Sequence, residues 1–215
     1  MIVWESILYL FILFGIPLIL IAAYLIHSER ATRKAWEEFA KRTGLVFFQD
    51  RKMVAGVYMG HGADLSYFNP YYHYDKEGIA GVLERFIGKR ENSNMNWTKI
   101  TVHLNAPFKG FLRIKTRRAY HSVTAKVSGT EVKLQDPNFD PYYYISCSDP
   151  YLPIRALQPA TRVRFFRVKG WVFYWEQGKG HAMIPGKFRN VDELMEAFWI
   201  VCEVVNGIDA VAMGQ

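Results

Sequence analysis

The sequence predicts an α+β fold: an N-terminal transmembrane helix, then a largely antiparallel β-sheet domain with flanking helices. Three observations carry this expectation. Residues 7–26 hold no charged side chain and run through Ile, Leu, Phe, Tyr and Ala, about the 20 apolar residues that a helix needs to cross the hydrocarbon core. From Leu45 onward, short apolar stretches alternate with Gly, Pro, Asn and Asp turn formers, the texture of hairpins. Near the C-terminus, Leu194, Phe198, Val201, Cys202 and Val205 form a stripe at helical spacing, as expected of a helix packed on such a sheet. The expected division is residues 1–27 as anchor and residues 28–215 as one cytoplasmic α+β domain.

The first element is read as an uncleaved membrane span. Glu5 is the only charged residue before Glu29. A cleaved signal peptide asks for a basic n-region and a small-x-small cleavage site. This N-terminus reads Met-Ile-Val-Trp-Glu-Ser, and Ala22-Ala23 run into Tyr24-Leu25-Ile26. Gly15 and Pro17 are compatible with a membrane helix, and Trp4 and Tyr24 fall where interfacial aromatics settle. Arg30, Arg33, Lys34, Lys41 and Arg42 all follow the span and no Lys or Arg precedes it. The positive-inside rule then places the N-terminus outside and the domain in the cytoplasm, with a bacterial plasma membrane as the expected location.

Residues 28–43 continue as helix, with Ala35, Trp36, Phe39 and Ala40 on one stripe and Gly44 as a natural stop. The Trp36/Phe39 stripe suits either a core contact or the lipid interface. Strands are expected at 45–49, 54–59 and 63–68, with a tight turn at Gly60-His61-Gly62. An aromatic loop follows, Asn69-Pro70-Tyr71-Tyr72-His73-Tyr74, and then an ambiguous apolar stretch at 79–87. Ile100, Val102 and Leu104 alternate with Lys99, Thr101 and His103, the pattern of a half-buried strand. Phe111–Thr116 alternates likewise, with Arg113, Lys115 and Arg117 on one side and Leu112, Ile114 and Thr116 on the other. Weaker strands are expected at 122–127 and 131–134, and a further strand at 142–147. Asp149 to Leu157 suits a short helix, 159–168 fits helix or strand, and 171–177 with 181–184 forms a hairpin through Gly178-Lys179-Gly180. In the last helix Asn190 is the cap, Glu193 completes a capping box, and Asn206-Gly207 marks the end.

Composition narrows the function classes. Half the chain is hydrophobic and 16% is aromatic, which excludes a disordered tail. All 27 Lys and Arg but only 19 of the 20 Asp and Glu follow residue 27, a basic balance suited to anionic lipid or another polyanion. Cys147 and Cys202 fit a reducing compartment better than a structural disulfide. The P-loop, GxGxxG, CxxC, HExxH and GxSxG signatures are absent from the sequence. A metal site from His61, His73 and Asp64 or Asp75 is a chance-level pairing. Asp136, Asp140 and Asp149 sit in turn contexts that close Asx turns more readily than they do acid–base work. No catalytic residue, cofactor or metal is assigned. The better leads for contact with lipid or a partner are the basic strand face, Arg113, Lys115, Arg117 and Arg118, and the aromatic loop residues Tyr71, Tyr72 and Tyr74. Arg162, Arg164, Arg167 and Lys169 form a second basic group.

Residues 136–166 carry Asp136, Phe139-Asp140, Tyr143, Ile145-Ser146, Asp149-Pro150, Ala156-Leu157, Pro159 and Arg162 in an order that resembles bacterial membrane-anchored proteins of the DUF3137-like group. There a Phe-Asp strand motif precedes a short helix. Trp36, Phe39-Ala40, Gly44-Leu45, Gly56, Tyr58 and Gly60 are similar to the opening of such proteins. Tyr143 replaces the usual Phe, and Gln158-Pro159 departs from the helix pattern. The resemblance implies a single-pass architecture with an α+β domain and brings no catalytic residues. The expected function is a non-enzymatic accessory or interaction module on the membrane. The alternative is a membrane-associated enzyme or an anionic-lipid-binding module using the basic strand face. The lipid bilayer and a second membrane protein are the expected partners, and nucleic acid is disfavoured.

Overall fold

The structure is a computed structural model that describes residues 11–68, 97–105, 108–117, 131–168 and 170–213. Tyr71, Tyr72, Tyr74 and Arg118, the strand expected at 122–127, and His73 and Asp75 of the imagined metal site lie outside the described residues.

A π-helical turn, Phe11–Gly15, leads into α1, Ile16–Thr43. The turn ends just before Pro17, which has no N–H for a regular helical bond. The helix is long and apolar enough to cross a membrane. It changes character along its length without breaking. Between Phe11 and Ile26 its side chains are exposed and apolar, whereas Ser28, Thr32, Ala35, Trp36, Phe39, Ala40 and Thr43 are buried. Gly44 ends it in the left-handed region at φ 72°, as its position in the sequence predicts.

Among the described residues, nine strands follow in one sheet: β1 Val46–Phe48, β2 Met53–Tyr58, β3 His61–Phe68, β4 Trp97–His103, β5 Phe111–Thr116, β6 Glu131–Val132, β7 Tyr143–Cys147, β8 Val172–Glu176 and β9 Lys179–Pro185. Their order across the sheet is β1-β2-β3-β4-β9-β8-β5-β7-β6, and every pairing among the described residues is antiparallel. The α+β class with a largely antiparallel sheet is therefore present.

Strand periodicity sorts the two faces. Phe47, Val54, Leu65, Ile100, Ala182, Phe173, Ile114, Ile145 and Val132 stand opposite one another in register and cross all nine strands as one apolar row. On this face lie α1, the short helices α2 (Leu152–Ala156) and α3 (Pro159–Phe165), and α4 (Val191–Ala212). Pro159 opens α3 and settles the 159–168 segment as helix, since proline suits the first turn and carries no N–H for a ladder. Phe198 of α4 meets the rings of Phe39 and Tyr58 edge-on at 5.4 and 4.9 Å. Trp36 and Phe39 are core residues, so the Trp36/Phe39 stripe faces the sheet.

Four local expectations are corrected. The β2–β3 turn is Met59-Gly60, both at positive φ, and His61 and Gly62 already belong to β3. The β8–β9 hairpin turns through Gln177 and Gly178, both at positive φ, and Lys179 and Gly180 already belong to β9, a two-residue turn suited to the twist of the strands. Asn190 caps α4 through the N–H groups of Asp192 and Glu193, but Glu193 does not close a capping box. Its carboxylate accepts the Trp171 indole N–H at 3.0 Å instead. Finally, α4 does not stop at Asn206-Gly207 but runs to Ala212. Gly207 serves close approach there: a Cβ at this position would lie 2.9 Å from Ala156 Cα and 3.0 Å from its carbonyl oxygen. Gly207→Ala is accordingly expected to destabilise by about 1–3 kcal/mol through overpacking, although alanine by itself favours a helix interior by about 1 kcal/mol. Denaturant unfolding of the detergent-solubilised chain measures this. A raised midpoint would show that α2 yields to the methyl group.

Candidate functional site

Among the described residues, polar regions and a cavity stand out once the core is assigned. The first region is the sheet face away from the helices. There Asp64, Thr101, His181, Tyr174, Arg113, Ser146 and Glu131 stand in register from β3 to β6. The expected alternation of Arg113 and Lys115 against Leu112 and Ile114 is correct, and the latter two are fully buried. The cations on this face are locally engaged. Arg113 pairs with Glu176 at 3.2 Å and lies over the Phe111 ring. Arg117 pairs with Glu131 at 2.6 Å and donates to the carbonyls of Asp140 and Tyr143. Lys115 sits over the Tyr144 ring at 5.1 Å. In the second basic group, Arg162 binds Asp136, and Arg164 and Arg167 share Glu196.

The centre of this face is buried and polar. His181 stacks on Tyr174 with ring centroids 4.6 Å apart, and its Nδ1 lies 3.3 Å from Thr101 Oγ1. Burial, with Lys99, Lys179 and His103 adding repulsion, pushes His181 well below its ordinary range, so the ring is neutral. Burial likewise raises Asp64 against the pull of Lys99 and lowers Lys99.

The other residues weighed for chemistry separate. His61 and Asp64 lie three residues apart on β3, an odd spacing that sends them to opposite faces. His61 points to the helical side, where its Nε2 lies 2.8 Å from Asn206 Oδ1 and its Nδ1 lies 3.0 Å from the His103 carbonyl. Asp209, 3.9 Å from His61, accepts the Asn105 N–H at 3.0 Å. Asp136, Asp140 and Asp149 close turns. Asp140 accepts the N–H groups of Leu134 and Asp136, Asp136 accepts that of Asn138, and Asp149 accepts that of Tyr151. Tyr143, where the resemblance has Phe, donates its hydroxyl to the Phe165 carbonyl at 2.6 Å. Cys147 and Cys202 are buried and free, and burial raises the Cys202 thiol to about 12.

The cavity lies where α1 enters the domain. It has a volume of about 280 Å³ and is walled by α1 from Glu29 to Trp36, by Phe47, Gln49 and Lys52 at the β1–β2 end, by Tyr67 of β3 and by Lys187. Its floor is aromatic, with the Trp36 and Tyr67 ring centroids 4.4 Å apart. Trp36 is only 2% exposed, and its indole N–H has no hydrogen-bond partner among the described residues, whereas the buried Tyr67 hydroxyl interacts with the Thr32 side chain. Such a buried unpaired group costs about 1–3 kcal/mol. Burial also holds the Tyr67 phenol up at about 12, so it remains a donor. The rim is basic. Lys52 pairs with Glu29, the single acid of the lining, and holds its carboxyl below the usual range. Arg33 pairs with Glu37 at 2.6 Å. Arg30 and Lys187 have no ion-pair partner among the described residues. Thr98 fixes the Lys187 loop by donating to the Gly186 carbonyl at 2.8 Å and accepting the Phe188 N–H at 3.2 Å.

Sequence reasoning did not assemble this cavity, because its walls come from four separate segments. The available signal was a tryptophan on the buried stripe of a helix that also carries Arg30 and Arg33 directly beyond an apolar run.

No family model matches the chain, and no curated protein matches it. Among solved structures, it is similar to the mycobacterial trehalose monomycolate transport factor A, TtfA, at 12% identity, with a TM-score of 0.48 over 83% of this chain and 94% of that one.

The buried histidine gives a testable pH dependence. An unfolded histidine titrates near 6.5, whereas His181 in the fold resists protonation until well below that. Between the two values the unfolded chain binds the extra proton. Stability therefore falls as pH drops below about 6.5, by up to about 1.4 kcal/mol per pH unit from this group. Above pH 7 His181 adds no slope. Unfolding measured at pH 7 and pH 5 should show a smaller loss in His181→Gln than in the parent. Equal losses would assign the slope elsewhere.

Proposed function

We propose that this protein is a membrane-tethered accessory or interaction module without catalysis of its own, anchored by α1 with its domain on the cytoplasmic side. One observation carries the reading: exposed apolar helix becomes core-packed helix without a break. Ile26 is exposed, Ser28 is buried and accepts a hydrogen bond from Arg189, and no glycine or proline separates the two halves of α1. A tether of this kind fixes the height and tilt of a domain above the bilayer, unlike a flexible linker. The basic residues Arg30, Arg33, Lys34, Lys41 and Arg42 follow the apolar segment directly and support a cytoplasmic domain. The resemblance to single-pass membrane-anchored proteins agrees with this architecture.

The alternative, an anionic-lipid-binding module, draws less support from the basic strand face than the sequence suggested, since Arg113 and Arg117 are paired with Glu176 and Glu131. It draws more from the cavity beside α1, whose rim is basic.

The full-length chain with a C-terminal epitope should remain in the membrane fraction after alkaline carbonate washing. In intact spheroplasts its domain should resist external protease and become sensitive on lysis. Release by carbonate would overturn the anchor, and digestion from outside would reverse the orientation.

A further inference from the structure

Positive charge gathers where α1 enters the domain, and it comes from three separate segments that the fold brings to one level. Arg30 lies on α1, Arg51 and Lys52 lie in the β1–β2 turn, and Lys187 and Arg189 lie in the loop between β9 and α4. All five side chains belong to exposed residues. Direct contacts pin both loops to the helix just past its apolar run. Lys52 pairs with Glu29, Arg189 donates to Ser28 Oγ, and Lys187 lies close enough to act with Lys52 on the Glu29 carboxyl. The β1–β2 turn is closed by the Lys52 N–H, which donates to the Gln49 carbonyl at 3.2 Å, so Arg51 is held beside Lys52. The acids at this level are Glu29, neutralised by Lys52, and Asp50. Those further on are engaged elsewhere: Glu37 with Arg33, Asp192 with Arg42, and Glu193 with the Trp171 indole. Arg30, Arg51, Lys187 and Arg189 against Asp50 leave a clear excess of positive charge.

The height of this cluster singles out its partner. Ser28 and Glu29 lie two and three residues past Ile26, the last residue of the exposed apolar run, an axial rise of about 3–4.5 Å. The headgroup layer extends about 5–8 Å beyond the hydrocarbon core on each side. With α1 crossing the bilayer as proposed above, both loops stand at headgroup depth, held there by the residues that end the apolar run. Each Lys or Arg at that depth strengthens association with anionic lipid by about fivefold.

We propose that this basic cluster seats the domain on the anionic phospholipid headgroups of the leaflet from which it projects. Arg30 reaches that layer from the helix itself, whereas Arg51, Lys187 and Arg189 reach it only through the fold. The inference rests on α1 being a membrane span.

The test reconstitutes the full-length chain in phosphatidylcholine bilayers with a trace of spin-labelled phosphatidylglycerol or spin-labelled phosphatidylcholine. Electron paramagnetic resonance then reads the lipid whose motion the protein restricts. At low salt the phosphatidylglycerol label should be restricted in about fivefold or greater preference to the phosphatidylcholine label. At about 1 M salt, where the Debye length falls to about 3 Å, the preference should vanish. Arg51→Gln combined with Lys187→Gln removes two exposed cations that have no ion-pair partner among the described residues. It should bring the preference to about twofold or below, with an unchanged melting transition. Lys109→Gln combined with Lys179→Gln makes the same charge change at exposed positions by the far strand ends and should leave the preference unaltered. Equal restriction of both lipids by the wild-type chain overturns the proposal. So does the wild-type preference retained in Arg51→Gln/Lys187→Gln, or an equal loss in the far-end variant. A chain that restricts neither lipid overturns the span on which the proposal rests, so the two failures read differently.

Discussion

Trp36 and Phe39 fasten the second half of α1 to the sheet and to α4, and the rest of the architecture follows from that junction. Both are buried, Trp36 against Tyr67 and Phe39 against Phe198. Truncating residues of this size in a core costs about 3–5 kcal/mol each, a large share of the stability of an ordinary domain. Polar contacts align the joint. Glu29 meets Lys52, Arg189 donates to Ser28, and Arg42 pairs with Asp192 at 2.6 Å. Being exposed, such ion pairs add little to stability. They set the register of the helix on the sheet while the aromatic rings supply the adhesion.

The same junction creates the cavity. Trp36 packs at a tilt against Tyr67, with ring centroids 4.4 Å apart, and its buried indole N–H has no hydrogen-bond partner among the described residues. The sheet thus has two different polar environments. On the outer face, charges are satisfied by cross-strand neighbours such as Arg113 with Glu176. Beside α1, the Trp36 indole N–H is buried without a partner among the described residues.

Much of the fold was legible because it rests on local periodicity. The alternation of Lys99, Ile100, Thr101 and Val102 placed β4 correctly and assigned its faces, and the stripe from Leu194 to Val205 located α4. Legibility failed where tertiary contact overrode a local signal. Gly207 reads as a helix stop, but in the fold it is the point at which α2 reaches α4. Glu193 reads as a capping-box partner, but Trp171 takes its carboxylate. The candidate site was less legible than the fold. Arg113 and Arg117 were placed on one face correctly, but their partners Glu176 and Glu131 lie 63 and 14 residues away, beyond any helical or strand period. The cavity needs α1, the β1–β2 end, β3 and Lys187 together, and no spacing rule joins those segments.

The central claim is that α1 carries the domain rigidly, with its cavity end at the membrane and the opposite strand ends away from it. Lys52 lies at the cavity end of the sheet, and Lys179 begins β9 at the other, separated by about 17 Å of strand at about 3.3 Å per residue. Nitroxide labels at these two positions, in the full-length chain reconstituted into phosphatidylglycerol nanodiscs, measure the arrangement directly through relaxation by lipid-dissolved oxygen and by a water-soluble nickel chelate. The account predicts that the Lys52 label reports headgroup depth while the Lys179 label reports bulk water. Equal water exposure at both sites would contradict it.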